Sequence, residues 1–180
     1  LDAERTAWAL GLAGTQSSGL YAFSADGTDT KRFHPGRAAQ AGVMSAELAA
    51  HGLTGPTEIY EAADGGLLRA FVDQPQPDKL LAGLGDHWHA PRTNFKPYGC
   101  CGSVHAHVDA ALALRRDWTG CGVVRVGMPR VVDIQCGYPY QPGSALNAQM
   151  SGRYAIAVAL LDGAVLPAQF EAARLAGDDV

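Results

Sequence analysis

The stretch SALNAQMSGRYAIAVALLDG, residues 144–163, constrains this chain more than any other segment. Wound as one helix, it is apolar nearly all round, with Met150, Tyr154, Val158 and Leu161 on one stripe. A helix without a polar face has to be enclosed by other elements, so this one is expected at the centre of a core. Its most apolar part, YAIAVALLDG, is about half the ~20 residues that a membrane span needs, and it ends in Asp162-Gly163. No membrane partner is expected. With 180 residues, 47% of them apolar and 18% charged, the chain can build one good core or two small subdomains. The net charge of −4 argues against nucleic acid as a partner, which would call for a basic surface.

Other segments arrange themselves around that helix. Residues 2–24 read as helical, with Asp2 as a cap and a soft spot at Gly14-Thr15, and SADGTD follows as a turn cluster. From Gly36 to His51 the spacing predicts an amphipathic helix, with Ala39, Val43, Ala46, Ala50 and then Leu53 on its apolar face. TGPTEIYEA is expected to start another short helix. Two prolines make DQPQPD, residues 73–78, the best boundary. A helix is predicted from about Gly99 or Cys100 to Arg116. GVVRVGMPRVVDIQC then alternates at period two, with Val124, Val126 and Met128 on one side and Val132, Ile134 and Cys136 repeating the pattern after Pro129. This predicts two strands, or one bent at the proline. PAQFEAARLAG closes the chain as a short helix. The fold class expected is α+β, mainly α. Residues 1–75 would form part of a helical domain and 76–145 a smaller α+β lid-type domain. Residues 146–180 would complete the lid or return to the helical domain.

Cysteines stand at 100, 101, 121 and 136, with no Cys-x-x-Cys pair, and free thiols in a reducing cytoplasm are the expectation. No leader-like segment opens the chain, which starts at Leu1 inside a helical pattern, as a fragment or processed product would. Three groups of residues could carry chemistry. Lys31-Arg32-Phe33-His34, ahead of Pro35-Gly36, reads either as an anion site or as a solvated basic turn. His105 shares a helical stripe with Cys101, Val108 and Leu112, while His107 points elsewhere. His105 is either a hydrogen-bonded core residue or a proton-transfer group. Tyr154 is either a core tyrosine or a phenol delivered into a pocket beside Arg153. Zinc-type donors occur at Cys101, His105, His87 and His89, but without a closed four-ligand spacing, so no metal is expected. Neither a phosphate-binding glycine loop nor a serine elbow is present; DGG and GLAG match no such fingerprint.

Taken together, TKRFHPGRAAQAGVMSAELAAHGLTGPTEIYEAADGGLLRAF, NFKPYGCCGSVHAHVDAAL and GRYAIAVALLDGAVLPAQF resemble the MmgE/PrpD family, over almost the entire chain and in the family's order. That family includes 2-methylcitrate dehydratases, cis-aconitate decarboxylases and an iminodisuccinate epimerase. The resemblance implies a large helical domain, a smaller α+β lid and a pocket between them, with no cofactor or metal. It also implies a homodimer, and members more than twice this length, with an upstream segment that completes the pocket. Carried over by position, it places the catalytic lysine at Lys31, the helix histidine at His105 and the late tyrosine at Tyr154. Arg32, His34, Lys96 and Arg153 are assigned to substrate binding or support. The implied function is a lyase, dehydratase first, acting on a 2-methylcitrate-like di- or tricarboxylate by proton transfer next to a carboxylate. The alternatives are an epimerase or decarboxylase of the same family, or a non-catalytic carboxylate-binding or assembly module.

Overall fold

The computed structural model describes residues 1–25, 27–120 and 122–180, so the free thiol expected at Cys121 lies outside the described residues. The chain divides into two compact units, Leu1–Gly19 with Arg32–Thr93, and Leu20–Lys31 with Asn94–Val180.

In the first unit, α1 (Ala3–Gly14) is capped by Asp2, whose carboxylate accepts the Arg5 N–H at 2.8 Å. The GLAG of this helix is a packing device. A Cβ on Gly11 would stand 2.1 Å from the Pro56 carbonyl oxygen, and one on Gly14 would stand 2.3 Å from Ile59 Cγ1. The 55–59 segment presses on α1 so closely that only glycine fits. The short helix expected in TGPTEIYEA is therefore a series of turns committed to that contact. The long helix α2 (Thr30–Ala50) begins six residues before the expected start at Gly36 and carries Pro35 inside it. Proline has no N–H, so the Lys31 carbonyl loses its usual partner one turn on. Along α2 the buried stripe is Ala41, Ser45 and Ala49, not the predicted one; Val43 is 63% exposed. Gln16 explains part of this phase: its Nε2 donates to Ser45 Oγ at 3.1 Å. The unit also holds the short helix α3 (Leu67–Phe71).

The second unit is built around the apolar segment 144–163. It is two helices, α6 (Ala145–Met150) and α7 (Gly152–Asp162), preceded in the chain by α4 (His105–Leu114) and α5 (Arg130–Cys136) and followed by α8 (Ala172–Leu175). Ser151 makes the break. Its backbone is extended, its N–H bonds back to the Asn147 carbonyl at 2.8 Å, and its Oγ accepts the Tyr154 N–H at 3.3 Å. One residue thus ends α6 and caps α7. Gly152 follows because a Cβ there would meet Val104 Cγ1 and the Cys136 carbonyl oxygen, both at 3.1 Å. Seven of the eleven residues of α7 are buried, so the absence of a polar face does translate into enclosure. Val104, Val108 and Ala111 pack against it from the α4 side. Arg115 Nε donates to the Leu160 carbonyl at 2.9 Å, covering a terminal carbonyl of α7 with a cation. Gly163, with φ +73°, closes the helix in the left-handed conformation.

The α+β expectation is overturned: no strand occurs among the described residues, and the lid-type α+β domain is not there. Residues 123–129 have no regular structure, with Val123 81% exposed, and 130–136 is helical. A period-two pattern makes a strand only where a neighbouring strand takes up its N–H and C=O groups. After Pro129 the same letters also satisfy helical spacing, because Val132 and Cys136 lie four apart. The Val132 and Asp133 N–H groups both bond to the Pro129 carbonyl, which starts the turn.

Because the Ser151 hydroxyl caps α7, Ser151→Ala should lower the unfolding free energy by about 1 kcal/mol. In urea denaturation this appears as a lower midpoint with an unchanged slope; an unmoved midpoint would refute the side-chain cap of α7.

Candidate functional site

Residues Tyr98 to Val104 form the loop that leads into α4, and two backbone bonds fix it. The Gly99 N–H donates to the Val165 carbonyl, and the Cys101 N–H to the Gln149 carbonyl, each at 2.8 Å. That loop and the end of α6 bound a cavity of about 210 Å³, lying wholly within the second unit. Lys31, Lys96, Cys100, Cys101, Gln149 and Met150 line it, with Tyr98 at its edge. Lys31 Nζ rests 3.3 Å from Met150 Sδ. A thioether is a weak acceptor, and among the described residues the lining holds no carboxylate. Two ammonium groups therefore face a space with no carboxylate among its described lining residues to neutralise them. Such a cavity suits a small anion with two or more carboxylates.

Cys101 adds a negative group. It precedes the turn Gly102–Val104, and its sulfur accepts hydrogen bonds from the Cys136 thiol and from the Ser103 N–H, while the Ser103 hydroxyl donates to Gln135 Oε1 at 2.8 Å. Donation by Cys136 does most to lower its pKa, burial opposes this, and Ser103 and the Lys31 charge add to the lowering. The result is a thiol titrating at about 5. Cys136, as the donor, is pushed up. Its neighbour Cys100 is pushed up to about 11, first by burial and then by the charge on Cys101.

Two polar side chains, His105 and Asp109, meet the lining residue Tyr98. His105, the first residue of α4, lies edge-on to the Tyr98 ring with centroids 5.2 Å apart. Its Nε2 is 3.4 Å from the Cys100 carbonyl oxygen. The Tyr98 hydroxyl donates to Asp109 Oδ1, and this bond raises the Tyr98 pKa, with burial adding to it. His105 is half-buried and is not a lining residue of the cavity.

The other sequence candidates lie elsewhere. Tyr154 is 1% exposed, its hydroxyl donates to the Gln169 carbonyl at 2.6 Å, and its ring packs on Tyr140 and Phe170. Arg153 is exposed, donates to the Gly137 carbonyl at 3.1 Å, and lines a different cavity of about 450 Å³ with Val124, Met128 and Asp133. Arg32 and His34 belong to the first unit, where Arg32 is exposed and His34 is half-buried beside Gly19. Lys31 and Lys96 are thus the two candidates that share a cavity. Sequence reasoning missed Tyr98, Asp109 and the acidic character of Cys101. Asp109 had a legible signal, since it lies four residues after His105 on the same helical face.

Comparison with known proteins places both halves of the chain in one family. The MmgE/PrpD N-terminal domain matches residues 1–80 and the MmgE/PrpD C-terminal domain matches residues 98–180. Similar curated proteins include a cis-aconitate decarboxylase from Aspergillus terreus (strain NIH 2624), 33% identical over 90% of this chain and 36% of the relative. A cis-aconitate decarboxylase-like protein, oryM, from Aspergillus oryzae is 28% identical over all of this chain and 41% of its own length. The chain therefore spans well under half the length of these relatives.

The opposite shifts of adjacent cysteines predict opposite reactivities in the folded chain. Cys101 should react with a neutral alkylating reagent along a profile centred near about 5, while Cys100 stays protonated until about 11. Because the Lys31 cation favours the thiolate, Lys31→Met should move the Cys101 profile to higher pH. Mass mapping of alkylated peptides against pH checks this, and a Cys101 profile centred at the ordinary thiol value of 9.0 would contradict it.

Proposed function

Because the chain belongs to the MmgE/PrpD family, we propose that it supplies the carboxylate-binding wall of a lyase acting on a small tricarboxylate. Decarboxylation of a cis-aconitate-like substrate is the favoured reaction, since the relatives that set the comparison carry that name. This reading takes precedence over 2-methylcitrate dehydration. The observation that carries it is the pair Lys31 and Lys96 in one cavity whose lining contains no carboxylate.

The chemistry explains why two cations are needed. When a carboxylate next to a conjugated acid leaves as CO₂, its electron pair spreads into the remaining double bond and carboxylate. Water stabilises such an anion poorly on the reaction timescale, whereas fixed ammonium groups stabilise it without having to reorganise. In this reading Lys31 and Lys96 each hold a substrate carboxylate, and Lys31 meets the developing charge. A proton must then reach carbon. The family resemblance assigns His105 to that transfer, and its ring lies edge-on to the lining residue Tyr98. Asp109 holds the Tyr98 hydroxyl and so sets the surface against which His105 rests. Tyr154 is assigned to packing, its hydroxyl being committed to the Gln169 carbonyl.

Binding is the direct test on the 180-residue chain. Calorimetric titration with cis-aconitate should show a salt-sensitive site, and Lys31→Met should weaken it about tenfold or more, as loss of a charge-assisted hydrogen bond implies. Equal affinity of the variant would remove Lys31 from the site. Itaconate-type product formation, followed by proton NMR, separates lyase from binding module. Binding with no turnover would favour the module.

A further inference from the structure

The cavity holds a group that the lyase reading leaves unused. Cys101 is half-buried, lines the same space as the two lysines, and receives hydrogen bonds from Cys136 and Ser103. The groups facing its sulfur or the space before it are Lys31, Lys96, Cys100, Tyr98, Ser103 and Cys136. Two of these are cations and none is a carboxylate, so an anionic reagent approaching Cys101 meets attraction instead of the repulsion a thiolate normally presents.

We propose that Cys101 is a covalent modification site for small carboxylate-bearing carbon electrophiles, above all α,β-unsaturated dicarboxylates, positioned by Lys31 and Lys96. The thiolate sulfur attacks the β-carbon of the conjugated double bond. The S–C bond forms as the π pair moves onto the adjacent carboxylate-conjugated carbon, which then takes a proton from water. The net change is addition of S–H across C=C, with no oxidant or reductant consumed. Donation from Cys136 and Ser103 keeps the sulfur ionised, and thiolate is the nucleophilic form. The lysines supply what an exposed thiolate lacks, an anchor for the electrophile's carboxylates. Conjugated acids of this type resemble both substrate and product of the proposed lyase, so the same lysines would bring them to the thiol. The adduct would fill a cavity of about 210 Å³ and block it. The inference shares the two lysines with the proposed carboxylate site but requires no turnover.

Competition between iodoacetate and iodoacetamide tests the directing effect, because the two reagents differ chiefly in charge. With the intact 180-residue chain at pH 7 and low salt, peptide mass mapping should find the label on Cys101. The carboxymethyl form should exceed the carbamidomethyl form several-fold. High salt should collapse that preference by screening, without any mutation. Lys31→Met and Lys96→Met should each reduce it. Incubation with maleate should then add one maleate mass at Cys101 and abolish labelling there. Predominance of the neutral label at Cys101, a label favouring another thiol, or a preference unchanged by salt would each overturn the proposal. Failure of this labelling with cis-aconitate binding intact would leave the lyase reading standing. Selective labelling without tricarboxylate turnover would leave the modification site standing alone.

Discussion

Enclosure of α7 is the constraint on which the second unit depends. A helix with almost no polar surface must be covered on every side, and the chain covers it with α4, the 3₁₀ turn Pro167–Phe170 and α8. The cover is anchored at both ends of the helix. Ser151 caps its start, while Arg115 takes up carbonyls at its close. Arg174 adds a two-pronged pairing with Asp162 at 2.9 and 3.0 Å, tying α8 to the last residue of α7. Within the helix, Tyr154 adds one more fixed point by donating its hydroxyl to the Gln169 carbonyl.

The same constraint builds the site. Breaking the apolar segment at Ser151 ends α6 early and leaves the Gln149 carbonyl for the Cys101 N–H. That bond fixes the loop before α4, and with it the position of Cys101 beside Met150 and Lys31. Adjacent cysteines then acquire opposite properties. Cys100 is 4% exposed and is pushed up by burial, whereas Cys101 is turned toward the Cys136 thiol, the Ser103 N–H and a cation. Their chemistry is a matter of which way each side chain faces.

Much of this was legible in the residues. The uniform apolarity of 152–162 announced a buried helix, and the motifs around Lys31, Cys100-Cys101 and GRYAIAVALLDG announced the family. Strands were not correctly read, because alternation at 124–136 records only that every second residue is apolar. Whether such a run becomes a strand depends on a partner strand, and nothing local supplies one. The face of α2 was misread for a related reason. Ala41, Ser45 and Ala49 are too small to stand out in a hydrophobic pattern, yet small residues are what close packing requires. Tyr154 shows the limit for single residues: its place on the apolar stripe was clear, but its partner at the Gln169 carbonyl is fifteen positions away.

By itself, then, the sequence determined the presence of an enclosed helix, a helix through His105 and Val108, and family membership. These follow from local chemistry: side-chain polarity and propensity. Tertiary structure alone decided that Lys31 and Lys96 share a cavity while Arg153 lines another. It also decided that His105 rests against Tyr98, and that Cys101 is the acidic thiol of its pair. Those outcomes turn on distances between groups far apart in the chain, and electrostatic and hydrogen-bond energies depend on such distances as well as on residue type.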